Sequence, residues 1–329
     1  MNKILMTSVR SDEEQAIRHY AEKNNVEIVI SRDDFYPETL PDLTEIDGLV
    51  IQQTAKIGGD QQFYHHIAKQ ITQIATRTAG YDMIEVDLAK KAGLKITNVP
   101  AYSPRSVAEM ALMQILRLLR HTPEFDKRIA NNDFRWTGLQ AREIHSVTIG
   151  IVGVGRIGGT LAKLLNSIGV NVLGYDTDRD ASLCDVITYV TKDELLAQSD
   201  VISLHVDLNE TSIHLLSEAD FLKMKKGVLL INASRGPVIN TSDLITFLEN
   251  GQVGAVALDT VENESCVFNH DLHGQGVQDA RIQKLLSMSN VIITSHVGFF
   301  TNIAVKNMVD ISLDDTLMIL NGQSSPHEV

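Results

Sequence analysis

A glycine-rich segment near the middle of the chain has the residue types and spacing that bind a dinucleotide. Gly153, Gly155 and Gly158 form the pattern G-x-G-x-x-G directly after the apolar residues 148–152 and before the helical residues 160–165. The first glycine permits a tight turn, the second lets the backbone approach a pyrophosphate, and the third lets the helix pack closely on the strand. The N-terminus of the following helix offers N–H groups and a positive dipole end to phosphates. The segment therefore predicts a dinucleotide site.

An acidic residue follows at the distance expected for contact with the adenosine ribose. Asp176 ends a second predicted strand, residues 170–175, and lies about 20 residues beyond the glycine turn, as in dinucleotide-binding units. A carboxylate there repels a 2′-phosphate, which favours NAD over NADP, although the nearby Arg179 leaves NADP open. The alternative, a glycine-rich turn that binds no nucleotide, is less favoured because strand, helix and acid occur together.

The elements that must position these residues are short apolar strands separated by helical stretches. The predicted strands before the glycine motif are residues 4–6, 26–30, 48–51, 74–76 and 94–97, and helices are predicted at 11–23 and 61–70. A second series of strands and helices runs from residue 147 to the strand 291–294, and a last helix covers 302–320. This alternation predicts an α/β fold with two doubly wound parallel-sheet domains.

The helix that begins at Pro104 marks a change along the chain. Ser103 and Pro104 suit the N-cap and first position of a helix, which we predict for residues 104–121. Its apolar surface is wider than packing on one core requires. Two interpretations remain open: a buried helix that connects two domains, or a helix that also packs on a partner subunit.

Composition and charge exclude several classes of protein. The chain has 329 residues, 43% hydrophobic and 22% charged, and a net charge of −13, so we expect a soluble protein that binds neither nucleic acid nor an anionic membrane. We expect no signal peptide, because the apolar run at residues 4–6 is too short for one, and no apolar run approaches the ~20 residues of a membrane span. Two cysteines, Cys184 and Cys266, cannot form a disulfide framework, and a cytoplasmic location is expected. The histidines at 65, 66, 270 and 273 lack a complete ligand set, so no metal is expected.

Three further segments resemble the D-isomer-specific 2-hydroxyacid dehydrogenases. Residues 232–238, N-A-S-R-G-P-V, resemble the signature N-x-[SG]-R-G-x-x-[IV] of that family. Residues 257–264 resemble its acidic segment, and residues 290–296 resemble the segment that holds its histidine. Residues 77–82, 96–104 and 150–158 also match, so the resemblance extends over nearly the whole chain. The branch that it indicates contains the D-lactate and D-2-hydroxyisocaproate dehydrogenases.

The resemblance implies a role for three chemical residues. Arg235 would bind the carboxylate and carbonyl of a 2-keto acid, and its planar fork suits this better than lysine. His296 would protonate the carbonyl oxygen, and Glu264 would pair with His296 and raise its pKa. Glu262, two residues before Glu264, is an alternative partner. Two alternative interpretations also remain open: a surface position for Arg235 and a purely structural role for His296. Against the second, His296 follows a predicted strand at the ligand-binding end of a parallel sheet.

Further site residues are implied by the same resemblance. Asp259 would lie near the histidine and the nicotinamide, backbone N–H groups of Ala79 and Gly80 would bind the substrate carboxylate, and Tyr102 and Phe299 would line the substrate pocket. The residues expected at the cofactor are Gly153, Gly155, Arg156, Ile157, Gly158, Asp176, Val206, Asp207, Ala233, Ser234 and Asp259.

The mid-chain position of the glycine motif predicts a discontinuous domain. We expect residues 1–101 and 299–329 to form a flavodoxin-like substrate domain, with an NAD-binding Rossmann domain, residues 102–298, inserted into it. A homodimer through the helix that begins at Pro104 is implied by the resemblance.

The expected function is an NAD-dependent D-2-hydroxyacid dehydrogenase, with reduction of pyruvate by NADH to D-lactate as the favoured reaction. A dehydrogenase for larger 2-keto acids is the alternative within this class. A non-enzymatic NAD(H)-sensing protein on the same scaffold is the alternative from another class. Some residues depart from the family pattern and leave the preferred substrate size and the cofactor contacts undetermined. They are Asp207, Ser295, Val297, Gly298 and Phe300.

Overall fold

The computed structural model describes residues 1–53 and 55–329 and divides the chain into two units, each built on its own parallel sheet. The first unit comprises residues 1–103 and 300–329, and the second comprises residues 104–299. Elements are numbered in chain order.

Within the described residues of the first unit, five parallel strands lie in the order β2-β1-β3-β4-β5. Helix α11 packs on this sheet, and the inner strands β3 and β4 are buried along their whole length, as expected for a parallel sheet covered on both faces. The strands are β1 (Lys3–Met6), β2 (Glu27–Ile30), β3 (Gly48–Ile51), β4 (Gln73–Thr76) and β5 (Lys95–Thr97), and the helices are α1 (Glu14–Asn24), α2 (Gln61–Ile67), α3 (Val86–Lys91) and α11 (Asn302–Leu320).

Within the second unit, all of which is described, seven parallel strands lie in the order β12-β11-β10-β9-β6-β7-β8. Helices α4 and α6 pack together over one hydrophobic cluster, and α9 and α10 cover another. The strands are β6 (Thr148–Val152), β7 (Asn171–Tyr175), β8 (Thr188–Tyr189), β9 (Val201–Leu204), β10 (Val228–Asn232), β11 (Val253–Leu258) and β12 (Val291–Ile293), and the helices are α4 (Pro104–Leu119), α5 (Thr122–Ala130), α6 (Arg156–Ser167), α7 (Lys192–Gln198), α8 (Glu218–Phe221), α9 (Thr241–Glu249) and α10 (Ala280–Ser287).

The predicted α/β class with two parallel sheets is confirmed, whereas several predicted helix ends shift. Helix α6 begins at Arg156 and not at residue 160, because Gly155 already has the extended backbone of an N-cap. Helix α4 ends at Leu119, since His121 has a left-handed backbone (φ 53°) from which α5 starts. No helix in the described residues has the length and apolar character needed to span a membrane. The assignment of substrate and cofactor domains to the two units stays a prediction.

Candidate active site

The glycine turn connects β6 to α6 and leaves an open surface at the start of the helix. Gly153 has φ +87°, and a Cβ atom there would lie 2.4 Å from the carbonyl oxygen of His205. A Cβ atom at Gly158 would lie 2.0 Å from the carbonyl oxygen of Gly153, so this position permits the close packing of α6. At Gly155, the N-cap of α6, a Cβ atom would meet no atom within 4 Å. Open space beside a helix N-terminus fits a pyrophosphate group.

Asp176, directly after β7, lies beside this turn. Its Oδ2 accepts a hydrogen bond from the N–H of Val154 (2.6 Å), and its Oδ1 accepts one from the N–H of Asp178 (3.1 Å). The side chain is partly exposed, which leaves it accessible to a ribose. Arg179 stacks on the ring of Tyr189, 5.7 Å from its centroid. The residues around the turn therefore fit a dinucleotide whose ribose hydroxyls meet a carboxylate.

The end of β9 contributes the neighbouring residues Val206 and Asp207 and a histidine that sequence analysis did not select. Burial lowers the pKa of His205 to about 4, so its imidazole is neutral near pH 7. Nε2 lies 2.8 Å from Oγ of Ser203, and the buried Nδ1 has no hydrogen-bond partner among the described residues. The signal in the sequence was the position of His205 directly after an apolar strand.

His296 follows β12 and pairs with Glu264. Nδ1 of His296 lies 2.6 Å from Oε1 of Glu264, whose other oxygen accepts a hydrogen bond from the N–H of Val261 (2.8 Å). The His296 side chain is 35% exposed, and no described residue forms a hydrogen bond with its Nε2. The imidazole is therefore fixed through one nitrogen and can exchange a proton through the other.

Glu262 lies in different surroundings. Its carboxylate accepts hydrogen bonds from Nε2 of His214 (2.9 Å), the N–H of Thr241 (3.0 Å) and Nη1 of Arg281 (3.1 Å). Burial raises the pKa of Glu262, but the hydrogen bonds from His214 and Thr241 and the charge of Arg281 outweigh burial, so the net pKa is below its ordinary value. Among these two carboxylates, Glu264 is the one in contact with His296.

Asp259, directly after β11, is buried and supports the loop that carries His296. Its backbone oxygen accepts the N–H of His296 (2.9 Å), Oδ1 accepts the N–H of Val297 (3.1 Å), and Oδ2 accepts the N–H of Gly298 (2.8 Å). A Cβ atom at Gly298 would lie 2.8 Å from Oδ2 of Asp259. Gly298 departs from the family pattern, and the absence of a side chain there leaves room for the Asp259 carboxylate.

Arg235 lies in the turn after β10, which Asn232 organises. Oδ1 of Asn232 accepts hydrogen bonds from the N–H and Oγ of Ser234, and Nδ2 donates to the carbonyl of Arg235 (3.0 Å). A Cβ atom at Gly236 would lie 2.2 Å from the carbonyl carbon of Val261, so this turn packs against the segment that carries Glu264. Asn232 belongs to the motif at residues 232–238, but no role was predicted for it; its position between strand and arginine was the available signal.

The second unit thus brings most predicted site residues to the carboxyl edge of one sheet, where open α/β sheets bind ligands. Ile157 lies in the first turn of α6, Ala233 and Ser234 are buried after β10, and Phe299 ends this unit. Ala79, Gly80 and Tyr102 belong to the first unit. The carbonyl of Tyr102 accepts a hydrogen bond from Nδ2 of Asn307 (2.7 Å).

The loop after β4 in the first unit has its carbonyl groups occupied and its amides open. The carbonyl of Thr78 accepts the N–H of Val99 (3.0 Å), that of Ala79 accepts Nδ2 of Asn98 (2.6 Å), and that of Gly80 accepts Oγ1 of Thr78 (2.6 Å). No described residue accepts a hydrogen bond from the N–H of Ala79 or Gly80. Two such amides are suited to bind an anion.

One histidine of each pair bonds to a backbone carbonyl, and Cys266 lies in the same short helical turn as Glu264. His65 and His270 bond to the backbone carbonyls of Gln61 and Ser265. Among the described residues, no group of three or more His, Cys, Asp or Glu side chains has the arrangement of a metal site. Cys184 and Cys266 are exposed free thiols.

Comparison with known proteins gives consistent matches over the whole chain. The sequence model of the NAD binding domain of D-isomer specific 2-hydroxyacid dehydrogenases matches residues 112–298. A D-2-hydroxyacid dehydrogenase (NAD(+)) of Clostridioides difficile is 38% identical over 337 residues, with 99% of each chain covered. The structure of a D-lactate dehydrogenase from Sporolactobacillus sp. is 47% identical, with a TM-score of 0.88 and 99% and 98% of the chains covered. That of a D-2-hydroxyisocaproate dehydrogenase is 30% identical, with a TM-score of 0.90 and 99% of each chain covered.

Proposed function

Because this chain belongs to the D-isomer-specific 2-hydroxyacid dehydrogenase family, we propose that its reaction is the reduction of pyruvate to D-lactate. The chain is an NAD-dependent oxidoreductase whose substrates are small 2-hydroxy and 2-keto acids. The preference for pyruvate is supported by the 47% identity to a structure described as a D-lactate dehydrogenase.

The observation that carries the proposal is the contact between His296 and Glu264. With Nδ1 beside a carboxylate at 2.6 Å, the orientation of the imidazole is fixed, so Nε2 is the atom that donates the proton to the carbonyl oxygen. In the oxidation direction Nε2 takes the proton back from the hydroxyl group. General acid–base catalysis of this kind contributes about 10² to 10⁴ in rate.

Arg235 has the role of binding and polarising the substrate. Its guanidinium donates one hydrogen bond to the carbonyl of Ser234 (2.9 Å), and its remaining N–H groups suit the carboxylate and carbonyl of a 2-keto acid. A guanidinium presents a planar fork that can form two parallel hydrogen bonds with a carboxylate. A positive charge near the carbonyl oxygen also stabilises the negative charge that develops there during reduction.

Residues around the glycine turn bind the cofactor. The open surface at Gly155 and the N–H groups of Arg156 and Ile157 receive the pyrophosphate, and Asp176 receives the adenosine ribose hydroxyls. The end of β9 (Val206, Asp207), the turn after β10 (Ala233, Ser234) and Asp259 complete the proposed contacts. Bound NADH supplies the hydride. A carboxylate at Asp176 disfavours the 2′-phosphate of NADPH.

We assign the substrate domain to the first unit and the cofactor domain to the second. In the first unit, the open N–H groups of Ala79 and Gly80 bind a substrate carboxylate, and Tyr102 contributes to the lining of the substrate pocket. In the second unit, Phe299 has the corresponding lining role. Phe300 is 48% exposed, and the guanidinium of Arg10 lies over its ring, 5.6 Å from the centroid.

A substrate panel tests the proposed function. We expect turnover with NADH to give a higher kcat/KM for pyruvate than for 2-ketoisocaproate or phenylpyruvate, and chiral analysis to identify the product as the D-isomer. Higher kcat/KM for the bulky acids would assign the chain to the hydroxyisocaproate type, which the 30% identical structure represents. NADH binding without turnover of any 2-keto acid would favour the NAD(H)-sensing alternative.

A homodimer through helix α4 is part of the proposal. Met113 and Leu116 on α4 are 40% and 39% exposed, and Trp136 beyond α5 is 82% exposed. Association of two copies would remove this apolar surface from water. Leu116→Glu should convert the dimer into a monomer in sedimentation equilibrium, and a monomeric wild-type protein would overturn the assignment.

A cytoplasmic location is also proposed. It is supported by the two exposed free thiols, because a reducing compartment keeps cysteines in this state.

A further inference from the structure

A buried chain of side-chain hydrogen bonds leads from helix α4 to the loop that carries His296. Gln114 on α4 is fully buried, and its Nε2 donates to Oγ1 of Thr294 (3.1 Å). The Thr294 hydroxyl donates in turn to Oδ1 of Asp259 (2.5 Å). All three residues belong to the second unit.

The chemistry of the three groups fixes the direction of these bonds. An ionised carboxylate only accepts hydrogen bonds, and a hydroxyl group has a single proton to donate. Since the Thr294 proton is directed to Asp259, Gln114 must present its NH₂ group to Thr294. The buried Oε1 of Gln114 has no hydrogen-bond partner among the described residues. The bond to Thr294 is therefore the interaction that orients this amide.

Asp259 in turn determines the backbone path through His296. Three successive N–H groups, of His296, Val297 and Gly298, are directed to the backbone oxygen and the two carboxylate oxygens of Asp259. His296 has a left-handed backbone with φ 55°. A non-glycine residue in this region costs free energy and is maintained only when surrounding contacts determine its conformation. Rotation of the Asp259 carboxylate would disturb two of these three hydrogen bonds.

We propose that Thr294 and Gln114 are positioning residues for His296. Gln114 orients the Thr294 hydroxyl, and Thr294 fixes the Asp259 carboxylate in the orientation that receives the N–H groups of the His296 loop. Neither side chain is assigned a contact with substrate or cofactor. The inference rests on the proposed function, since it gives these residues a purpose in presenting His296 as the proton donor.

Isosteric substitution of Thr294 tests the central bond. Thr294→Val should lower kcat for pyruvate reduction about tenfold, the equivalent of one hydrogen bond to a charged group. KM for pyruvate and Kd for NADH should change less than about threefold, because the binding groups remain. Thr294→Ser keeps the hydroxyl and should retain most of the wild-type kcat. Thr316→Val is the matched control, because Thr316 is a buried threonine of the first unit whose hydroxyl bonds to the carbonyl of Ser312.

A double-mutant cycle tests whether Gln114 acts through Thr294. Gln114→Leu should lower kcat about threefold, and the double variant Gln114→Leu/Thr294→Val should be no worse than Thr294→Val alone. Additive losses would overturn the serial arrangement. Equal kcat for Thr294→Val and wild type, or equal losses for Thr294→Val and Thr294→Ser, would overturn the role of the Thr294 hydroxyl.

Amide hydrogen exchange keeps this test independent of the proposed function. In Thr294→Val, exchange at Val297 and Gly298 should accelerate about tenfold, while exchange in the core strand β10 stays unchanged. Accelerated exchange in Thr294→Val, together with a wild-type protein that reduces no 2-keto acid, would refute the proposed function but support the structural link. Unchanged exchange together with normal turnover of pyruvate by wild type would refute the link and leave the proposed function standing.

Discussion

Two loops of the molecule, one in each unit, leave the carboxyl end of a parallel strand and are stabilised by buried charges of opposite sign. The loop after β4 begins at Arg77, which is fully buried together with Glu13. The loop after β12 carries His296 and is supported by the buried Asp259. A guanidinium has only donors and a carboxylate only acceptors. Arg77 accordingly bonds to backbone carbonyls next to its loop, and Asp259 bonds to backbone N–H groups within its loop.

In the first unit the supporting groups are donors. Nη2 of Arg77 donates to the carbonyls of Thr7 (2.9 Å) and Ser8 (3.2 Å) at the end of β1, and Nε donates to Glu13 (3.0 Å). The carbonyls of residues 78–80 are likewise taken by donors, while the N–H groups of Ala79 and Gly80 have no acceptor among the described residues. A loop supported in this way offers its backbone to an anion.

In the second unit the supporting group is an acceptor. Asp259 takes the N–H groups of His296, Val297 and Gly298, so this backbone has none left for a ligand. Within residues 296–298, the imidazole of His296 is the group that remains to act. A loop whose carbonyls are taken by donors thus keeps its amides for a ligand, whereas a loop whose amides are taken by a carboxylate acts through a side chain.

The largest expected effect is the loss of that imidazole. His296→Gln should lower kcat for keto-acid reduction about a thousandfold, within the range of general acid catalysis, because an amide cannot supply the proton. NADH binding, measured by fluorescence titration, should stay unchanged. His145→Gln, at a side chain 61% exposed, is the control. Near-normal turnover in His296→Gln would contradict the assignment and with it the contrast between the two loops.

The second largest effect is expected from removal of the buried guanidinium of Arg77. Arg77→Met should destabilise the protein by about 3–5 kcal/mol, the usual cost of leaving one partner of a buried ion pair behind, and should raise KM for pyruvate more than it lowers kcat. Urea unfolding and steady-state kinetics measure the two effects. Glu13→Gln in the same protein should recover part of the stability, since it removes the unpaired carboxylate.

A surface ion pair of the same unit provides the control for Arg77. Arg18 is 73% exposed and pairs with Glu14 on α1, so Arg18→Met should cost less than about 1 kcal/mol. Equal stability and equal KM for Arg77→Met and Arg18→Met would show that the buried guanidinium does not organise the loop after β4.

Much of this arrangement follows from the sequence. The glycine motif predicted the turn between β6 and α6, and apolar runs predicted strands such as β3 (Gly48–Ile51) because buried parallel strands are short and apolar. The burial of Arg77 was not predictable from its position in a motif, since an arginine is buried only where the fold brings acceptors to it from other strands. Gln114 had one signal, a polar residue within the apolar face of a helix.

The two neighbouring glutamates show why local sequence was insufficient. Asn263, between Glu262 and Glu264, has a left-handed backbone (φ 61°), which turns the two carboxylates into different surroundings. No spacing rule distinguishes residues two positions apart when the backbone direction changes between them. Gly298 is similar: the sequence marked it as a departure, and the position of Asp259 supplies the reason.

The loop after β10, which carries Arg235, lies at the same sheet edge as the His296 loop. A substitution there is expected to have an effect of intermediate size. Arg235→Lys keeps the charge but replaces a two-pronged donor by a point charge, so KM for pyruvate should rise about tenfold while kcat falls less. Steady-state kinetics with NADH at saturation measure the split. Arg142→Lys, at a side chain 44% exposed, is the control. A loss confined to kcat would mean that Arg235 acts mainly on the transition state and not in substrate binding.

The smallest expected effect concerns Glu262, which the structure assigns to support and not to chemistry. Glu262→Gln should leave kcat within about twofold of wild type, whereas Glu264→Gln should reduce it, because only Glu264 contacts His296. The pKa of Glu262 is lowered in the folded protein. Its contribution to stability is therefore complete above its ordinary pKa of 4.5 and is lost as the pH falls through the lower folded value.

The difference between wild type and Glu262→Gln in urea unfolding should accordingly be constant near neutral pH and shrink only in acid, below the ordinary pKa of a glutamate. If Glu262→Gln reduced kcat as strongly as Glu264→Gln while the stability difference stayed constant into acid, the roles of the two carboxylates would be reversed. Glu262 would then act in catalysis and Glu264 would support the backbone. The contrast between supporting and acting groups would fail at these two residues, which lie only two positions apart.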